Sequence, residues 1–82
     1  MRADTYPTGP TYTGSVSQGG YIGPTISIVP GALITIYDRG IAWEIRAAPS
    51  ESAAHGRRCL PIDIRPSGRR GGRFVPANAL RE

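Results

Sequence analysis

The chain has 82 residues, of which 39% are hydrophobic, and its ten arginines, without any lysine, give a net charge of +4. A chain of this length forms at most one domain and buries only about 60% of the surface that its unfolded form exposes. The single cysteine, Cys59, excludes an intrachain disulfide, and together with the single histidine, His55, it cannot fill a tetrahedral zinc site. The composition therefore predicts a small core that is stabilised by association, without a disulfide, a metal or a cofactor.

The first 24 residues are rich in Gly, Pro, Thr, Ser and Tyr, and their only sizeable aliphatic side chains are Val16 and Ile22. Such a composition does not build a core, and ordering it costs more free energy than these few side chains return. Main-chain pairing with another molecule, or with the protein's own sheet, must supply the rest. We expect residues 1–24 to be an extended arm that becomes ordered against another protein chain. The tyrosines expected to pack against that partner are Tyr6, Tyr12 and Tyr21.

Residues 25–82 contain short alternating runs typical of β-strands, and we expect them to form the folded domain. The pattern is strongest over residues 33–46, where two runs flank Asp38-Arg39-Gly40, a three-residue connection with Gly in the left-handed position. Pro61 lacks the amide donor that a central strand needs, which predicts an edge strand over 60–65. The predicted strands cover residues 25–29, 33–37, 41–46, 60–65 and 73–75. The side chains predicted to face the core are Ile41, Trp43, Ile45, Leu33 or Ile34, Leu60, Ile62, Ile64, Phe74 and Leu80.

The chain ends in Val75-Pro76-Ala77-Asn78-Ala79-Leu80, which we interpret as a tight helical turn that returns Leu80 to the core. A strand followed by a turn of this kind and a final apolar residue resembles the C-terminal end of SH3-like barrels. The resemblance covers about residues 31–82. Together with the strand count it implies a mainly β fold, a small SH3-like barrel or sandwich of four to five short strands, with the arm at its N-terminus.

One SH3-like family is enzymatic, the small plasmid-borne, trimethoprim-resistant dihydrofolate reductases, and its C-terminal end is similar to Pro76 followed by Ala79-Leu80. That family lines its pore with a Val-Gln-Ile-Tyr segment just before the proline. This chain has Gly72-Arg73-Phe74-Val75 there, without the amide or the phenol. The residues that would carry the activity are therefore missing.

No residue pattern elsewhere predicts catalysis. His55 and Cys59 are the only candidates for a base and nucleophile pair, and Gly56 interrupts any helix that would bring them together. The carboxylates are Asp4, Asp38, Glu44, Glu51, Asp63 and Glu82, and no spacing among them indicates paired acid and base roles. We therefore expect no enzyme activity and no small-molecule substrate.

Six of the ten arginines fall within 17 residues that contain one acid, Asp63. Gly68-Arg69-Arg70-Gly71-Gly72-Arg73 is similar to a single RGG-type element, whose flexible backbone lets guanidinium groups reach phosphates and stack on bases. Contact with carboxylates of a protein partner and a simple solvated loop are the alternatives. The predicted basic patch consists of Arg57, Arg58, Arg65, Arg69, Arg70 and Arg73.

No stretch approaches the roughly 20 apolar residues that cross a bilayer, and the N-terminus lacks the apolar region of a signal peptide. A lone free cysteine fits a reducing compartment. We therefore expect the protein in a virion or in the cytoplasm of a bacterial host, away from membranes.

Two functions fit these features. The first is a non-enzymatic structural subunit of a large particle, such as a decoration, minor capsid or head-tail component of a phage virion, that docks on other protein chains through its arm. The alternative is a small basic nucleic-acid-binding module that uses the arginine-rich loop near the phosphate backbone. The identity, symmetry and host of such a partner are not encoded in any motif.

Overall fold

The described residues of the computed structural model, 10–49, 59–68 and 72–82, form six antiparallel strands. The strands are β1 (Tyr12–Gln18), β2 (Tyr21–Ile28), β3 (Leu33–Asp38), β4 (Ile41–Ala47), β5 (Cys59–Pro66) and β6 (Val75–Arg81). They make one sheet in the order β2-β1-β6-β5-β4-β3, which curls into a nearly closed barrel. The predicted mainly β small barrel is thus confirmed. The described residues include no helix that could span a membrane.

Both tight hairpins use the same kind of turn. Gln18 pairs with Tyr21 around Gly19-Gly20, whose φ angles are +52° and +87°. Asp38 pairs with Ile41 around Arg39-Gly40, with φ angles of +55° and +80°. Two central residues at positive φ define the turn whose twist matches that of the flanking strands. The β3–β4 hairpin predicted from its alternation is therefore confirmed, but its turn has two residues instead of the predicted three, because Asp38 belongs to β3 and pairs with Ile41. Arg39 adopts a positive φ in this turn.

The predicted boundary between arm and domain at residue 24 is wrong. All of β1 and the first half of β2 lie N-terminal to it, and β1 is an interior strand between β2 and β6. Tyr12 and Val16 are 4% and 0% exposed. The inward position between them is Gly14, and the Leu80 side chain fills the space there, with Cδ2 3.0 Å from where a Cβ would lie. Residues 1–9 of the predicted arm fall outside the described residues.

The edge-strand prediction for residues 60–65 is also wrong, because β5 pairs with β4 on one side and with β6 on the other. The sheet accommodates Pro61 at an irregularity, where the β5–β6 register shifts between Pro61 and Asp63. The Pro61 carbonyl accepts a hydrogen bond from the Ala48 amide at 3.0 Å. The Ala48 carbonyl accepts from the Gly31 amide at 2.9 Å, so it does not need a donor at Pro61, and proline is tolerated in a strand that is flanked on both sides.

The C-terminal segment is strand β6 instead of the predicted helical turn, and the last strand begins at Val75 instead of residue 73. Leu80 is nevertheless buried as expected. Asn78 explains part of the difference, since its side-chain oxygen accepts from the Ser17 amide at 2.8 Å and its amide group donates to the Ser15 carbonyl. The Asn78 side chain therefore joins β6 to β1 where β1 is irregular between Ser15 and Ser17.

The core is drawn from five strands and lies inside the curl of the sheet. Its buried apolar residues are Tyr12, Val16, Ile26, Ile28, Ile45, Ala47, Leu60, Ile62, Ile64 and Leu80. The core positions predicted at Ile45, in β5 and at Leu80 are thus confirmed. Ile34 and Trp43 are only partly buried against this core, while Leu33 and Ile41 are exposed. Half of the core comes from residues that sequence reasoning left out, chiefly on β1 and β2.

Candidate protein interface

The described residues hold no arrangement that resembles an active site. Cys59 begins β5 and is half-buried, while His55 falls outside the described residues, so their predicted lack of contact stays a prediction. Two of the carboxylates, Glu44 and Asp63, are each engaged by an arginine. No group of three potential metal ligands occurs within the described ranges.

The three tyrosines predicted to contact a partner lie in different environments. Tyr12 is buried in the core and offers no surface to another chain. Tyr21 lies inside the end of the barrel, where its ring stacks on Trp43 with centroids 4.6 Å apart. Tyr6 lies outside the described residues. Among the described tyrosines, Tyr37 on β3 projects into solvent, at 78% exposure, and the sequence pattern had assigned it only to a strand.

Most of the predicted basic patch lies in two segments that flank β5 along the chain and fall outside the described residues. Residues 50–58, which carry Arg57 and Arg58, join the end of β4 to the start of β5. Residues 69–71, which carry Arg69 and Arg70, follow the other end of β5. The two anchoring points are separated by eight residues of strand, about 26 Å. All four of these side chains lie outside the described residues, so the predicted phosphate contact is untested.

Arg65 contacts three residues, one on β4 and two just before β6. Its Nε donates to Glu44 Oε1 at 2.8 Å, and a terminal nitrogen donates to the Gly72 carbonyl at 3.0 Å. Its guanidinium carbon lies 4.4 Å from the centroid of the Phe74 ring. Arg46 repeats the arrangement, 2.9 Å from Asp63 Oδ2 and 4.3 Å from the same ring. The two arginines thus fix Phe74 on the outer face of β4 and β5, away from the core where it was predicted.

The charge balance of the barrel follows from these pairs. Among the described residues, five arginines stand against four carboxylates, which leaves one of the four net positive charges. The arginines concerned are Arg39, Arg46, Arg65, Arg73 and Arg81. Since Arg46 and Arg65 are ion-paired, the outer face of β4 and β5 is close to neutral. The positive excess that suggested nucleic acid therefore belongs mainly to the segments outside the described residues.

The barrel stays open between β2 and β3, which share no backbone ladder. Side chains bridge this seam at one end only. The Tyr21 hydroxyl donates to Asp38 Oδ2 at 3.1 Å, and Arg39 donates to the Ile22 carbonyl at 3.3 Å. Burial of the phenol, and then its hydrogen bond to Asp38, raise the pKa of Tyr21 above its ordinary 10.0. Gly23 is required beside this ring, because a Cβ there would lie 2.6 Å from the Tyr21 hydroxyl.

Strand β3 is an edge strand with an apolar outer face. Leu33, Thr35 and Tyr37 point outward, and Leu33 and Tyr37 are 58% and 78% exposed. The strand contains no Lys, Arg, Pro or Gly, the residues with which proteins usually blunt a sheet edge. Its one charge, Asp38, is turned to Tyr21. An apolar edge without such residues is a template for pairing with another chain.

The other edge, β2, has the opposite character. Pro24 removes a backbone donor in the middle of the strand, and Gly23 beside it removes a side chain that could pack against a neighbour. Its exposed apolar residue is Ile22, next to the hairpin turn. The two edges of one sheet are thus unequal, and β3 is the one that is open to a partner.

Two surface depressions accompany the barrel. One, of about 470 Å³, lies between the β1–β2 turn and the start of β6. The other, of about 600 Å³, lies beside Pro49 and Pro61 and includes the Arg46–Asp63 ion pair. Ser17 and Tyr21 line the first without a histidine or carboxylate in the lining, and the second is lined by one carboxylate, Asp63.

Comparison of the chain with protein-family models, with curated proteins and with solved structures gave no match.

Proposed function

We propose that this protein is a non-enzymatic association module whose docking surface is the free edge and outer face of β3. The observation that carries this proposal is the exposure of Leu33 and Tyr37 on an edge strand without blunting residues. Native proteins normally protect such a strand, because its unpaired amides and carbonyls can form hydrogen bonds with any extended chain. An edge that is left open in this way is typical of a binding surface.

The chemistry of the surface favours an extended protein segment as the partner. Main-chain hydrogen bonds to β3 would supply affinity without demanding a particular sequence, and the side chains on alternate positions would supply selectivity. Tyr37 suits this role because its ring offers a large contact area at a small cost in side-chain entropy, and tyrosines are frequent among residues that dominate interfaces. Leu33 extends the apolar surface toward the other end of the strand.

The remaining parts of the hypothesis concern the particle, the location and the segment through which the protein associates. Membership in a large particle, such as a decoration, minor capsid or head-tail component of a phage virion, remains our proposal for the setting, as does a virion or cytoplasmic location. Docking through the N-terminal arm now concerns residues 1–9, with Tyr6, since residues 12–24 belong to the sheet. An SH3-like relationship also remains a proposal, because the C-terminal segment that carried the resemblance forms strand β6 instead of a helical turn.

A pair of lysine substitutions tests the docking surface. Tyr37→Lys places a charge on the open edge, and Thr25→Lys places the same charge on the exposed face of β2 as a matched control. The tagged proteins are used to capture partners from extracts of the source cells after nuclease treatment. We expect Tyr37→Lys to lose at least tenfold of the captured protein and Thr25→Lys to retain it. Equal capture by both variants would rule out β3 as the docking surface.

Nucleic-acid binding is the second candidate, and the exposed side chains of Arg39 and Arg73 support it within the barrel. Binding of a labelled single strand is measured by anisotropy at about 50 mM and about 200 mM salt. A phosphate-binding site that uses several arginines should lose affinity by orders of magnitude over this range. Replacement of Arg69, Arg70 and Arg73 with Gln should then remove most of the binding. Weak binding that is unchanged by these substitutions would exclude this function.

A further inference from the structure

We propose that the partner of the β3 edge is the β3 edge of a second copy of this chain, paired antiparallel about a two-fold axis at Thr35. This inference rests on the proposed function and gives its partner and register. In such a dimer the two six-stranded sheets would become one continuous sheet across the axis. The interface would be isologous, with the same residues contributed by each copy.

The register follows from the alternation of β3. Antiparallel partners lie on the same face of a sheet, so outward residues must oppose outward residues. With the axis at Thr35, Leu33 lies opposite Tyr37 of the second copy, and Thr35 lies opposite its own counterpart. Aliphatic with aromatic and threonine with threonine are both favourable cross-strand pairs. On the inner face, Ile34 lies opposite Ile36.

Neighbouring registers do not give this match. An axis at Ile34 would place Tyr37 opposite Gly31, and an axis at Ile36 would place Leu33 opposite Arg39. Only the register centred on Thr35 pairs both exposed apolar side chains with apolar counterparts. Sequence symmetry of the strand therefore selects a single alignment.

The charges are compatible with the same alignment. Asp38, the one residue of β3 that is charged at neutral pH, lies opposite Ala32 of the second copy, and the two Asp38 side chains are six residues apart along the ladder. That offset corresponds to about 20 Å, beyond the range over which exposed charges repel strongly in physiological salt. The Glu44 side chains, one strand further from the axis, are each paired with Arg65. No like charges therefore meet across the axis.

The alternative edges of the molecule fit less well. Pro24 on β2 interrupts the donors that a symmetric β2 ladder would need, and an apolar match like that of Leu33 with Tyr37 is missing there. Within one chain, β2 reaches β3 only through the side chains of Tyr21 and Arg39 at the hairpin end. A second β3 is thus the strand whose pattern matches the free edge.

Cysteine cross-linking tests the register. In a Cys59→Ser background, Thr35→Cys would bring two sulfurs together, since directly opposed Cα atoms lie about 4.5–5.5 Å apart and disulfides need about 4.4–6.8 Å. Leu33→Cys is the matched negative variant, because the two copies of residue 33 are offset by four residues, about 13 Å. Thr25→Cys on β2 measures random collision. We expect Thr35→Cys to form covalent dimer in a glutathione redox buffer at least tenfold more than either control.

Sedimentation velocity on the Cys59→Ser protein, from about 10 µM to about 1 mM, tests association without a cross-link. We expect the mass to rise toward that of a dimer and Tyr37→Lys to remain a monomer. A monomer throughout, with Thr35→Cys no better than Thr25→Cys, would overturn the self-pairing. Stronger cross-linking through residue 33 than through residue 35 would overturn the register. If self-pairing fails, the capture experiment with Tyr37→Lys still decides whether β3 docks on a different protein.

Discussion

Two tyrosine substitutions test whether strand β1 is part of the folded domain. Tyr12→Ala removes a side chain that is 4% exposed, and Tyr37→Ala removes one that is 78% exposed. Both changes delete the same atoms, so intrinsic effects of the substitution cancel. The difference in stability therefore measures how much of the core residues 12–18 supply.

The expected magnitude follows from burial. Truncation of a buried aromatic side chain to alanine costs about 3–5 kcal/mol, because the apolar contacts are lost and a cavity remains. Exposed substitutions change the free energy of unfolding by about 0.5 kcal/mol or less. An 82-residue domain has a total of about 4–12 kcal/mol. Tyr12→Ala should thus remove a large share of the stability, whereas Tyr37→Ala should leave it nearly unchanged.

Urea unfolding followed by circular dichroism gives the free energies, at a protein concentration low enough that self-association does not contribute. If Tyr12→Ala is unfolded in buffer, Val16→Ala provides a milder test of the same strand, with an expected loss of about 2 kcal/mol. A loss below about 0.5 kcal/mol for both variants would show that residues 12–18 do not contribute to the core. The original prediction of an arm through residue 24 would then be correct.

Two further predictions concern the side-chain clusters. The raised pKa of Tyr21 means that the folded protein holds the phenolic proton more tightly than the unfolded chain, so this stabilisation is complete below pH 10 and is lost above it. Urea titrations from pH 8 to about pH 11 should therefore show a steeper fall for the parent protein than for Tyr21→Phe, and equal slopes would contradict this. A double-mutant cycle with Arg65→Ala and Phe74→Ala should give a coupling of about 0.5–1 kcal/mol, while additivity would mean that the stacking at 4.4 Å contributes nothing.

The β3–β4 hairpin was predictable because its signals are local. Alternation from Leu33 to Arg46 fixes which side chains share a face, and Gly40 readily adopts the positive φ angle that a tight hairpin requires. Burial of Ile45 follows from the same alternation. What the alternation could not give was exposure at the edge, since Leu33 and Ile41 have the pattern of core residues but no neighbour that covers them.

Strand β1 was missed because its inward residues are Tyr12, Gly14 and Val16, a pattern that averages to a weak apolar signal. Gly14 faces the core only because Leu80, more than 60 residues later, occupies the space beside it. Asn78 likewise takes a strand conformation because its side chain bonds the backbone of β1. These effects are tertiary, and local propensity favoured the helical turn.

The outer-face cluster and the open edge also depend on sheet order. Arg46 and Arg65 reach Phe74 because β4 and β5 are neighbours in a particular register, and Arg65 was predicted only as part of a basic run. β3 could be recognised as an edge strand only once β5 was known to be central, and Pro61 had led to the opposite prediction for β5. An unpaired strand can be recognised as a docking surface only when the pairing of all the other strands is known.

The opening between β2 and β3 is produced by the connection that joins them. The Gly31 amide donates to the Ala48 carbonyl at 2.9 Å, and the Ala47 amide donates to the Ala32 carbonyl at 2.9 Å. These bonds attach the connection to the end of β4, so β3 continues alongside β4 instead of returning along β2. Pro24 further weakens β2 as a neighbour, because it has no amide to donate. The amides and carbonyls on the free edge of β3 must therefore bond water or another chain, and the exposed Leu33 and Tyr37 favour the chain because pairing also removes their apolar surface from water.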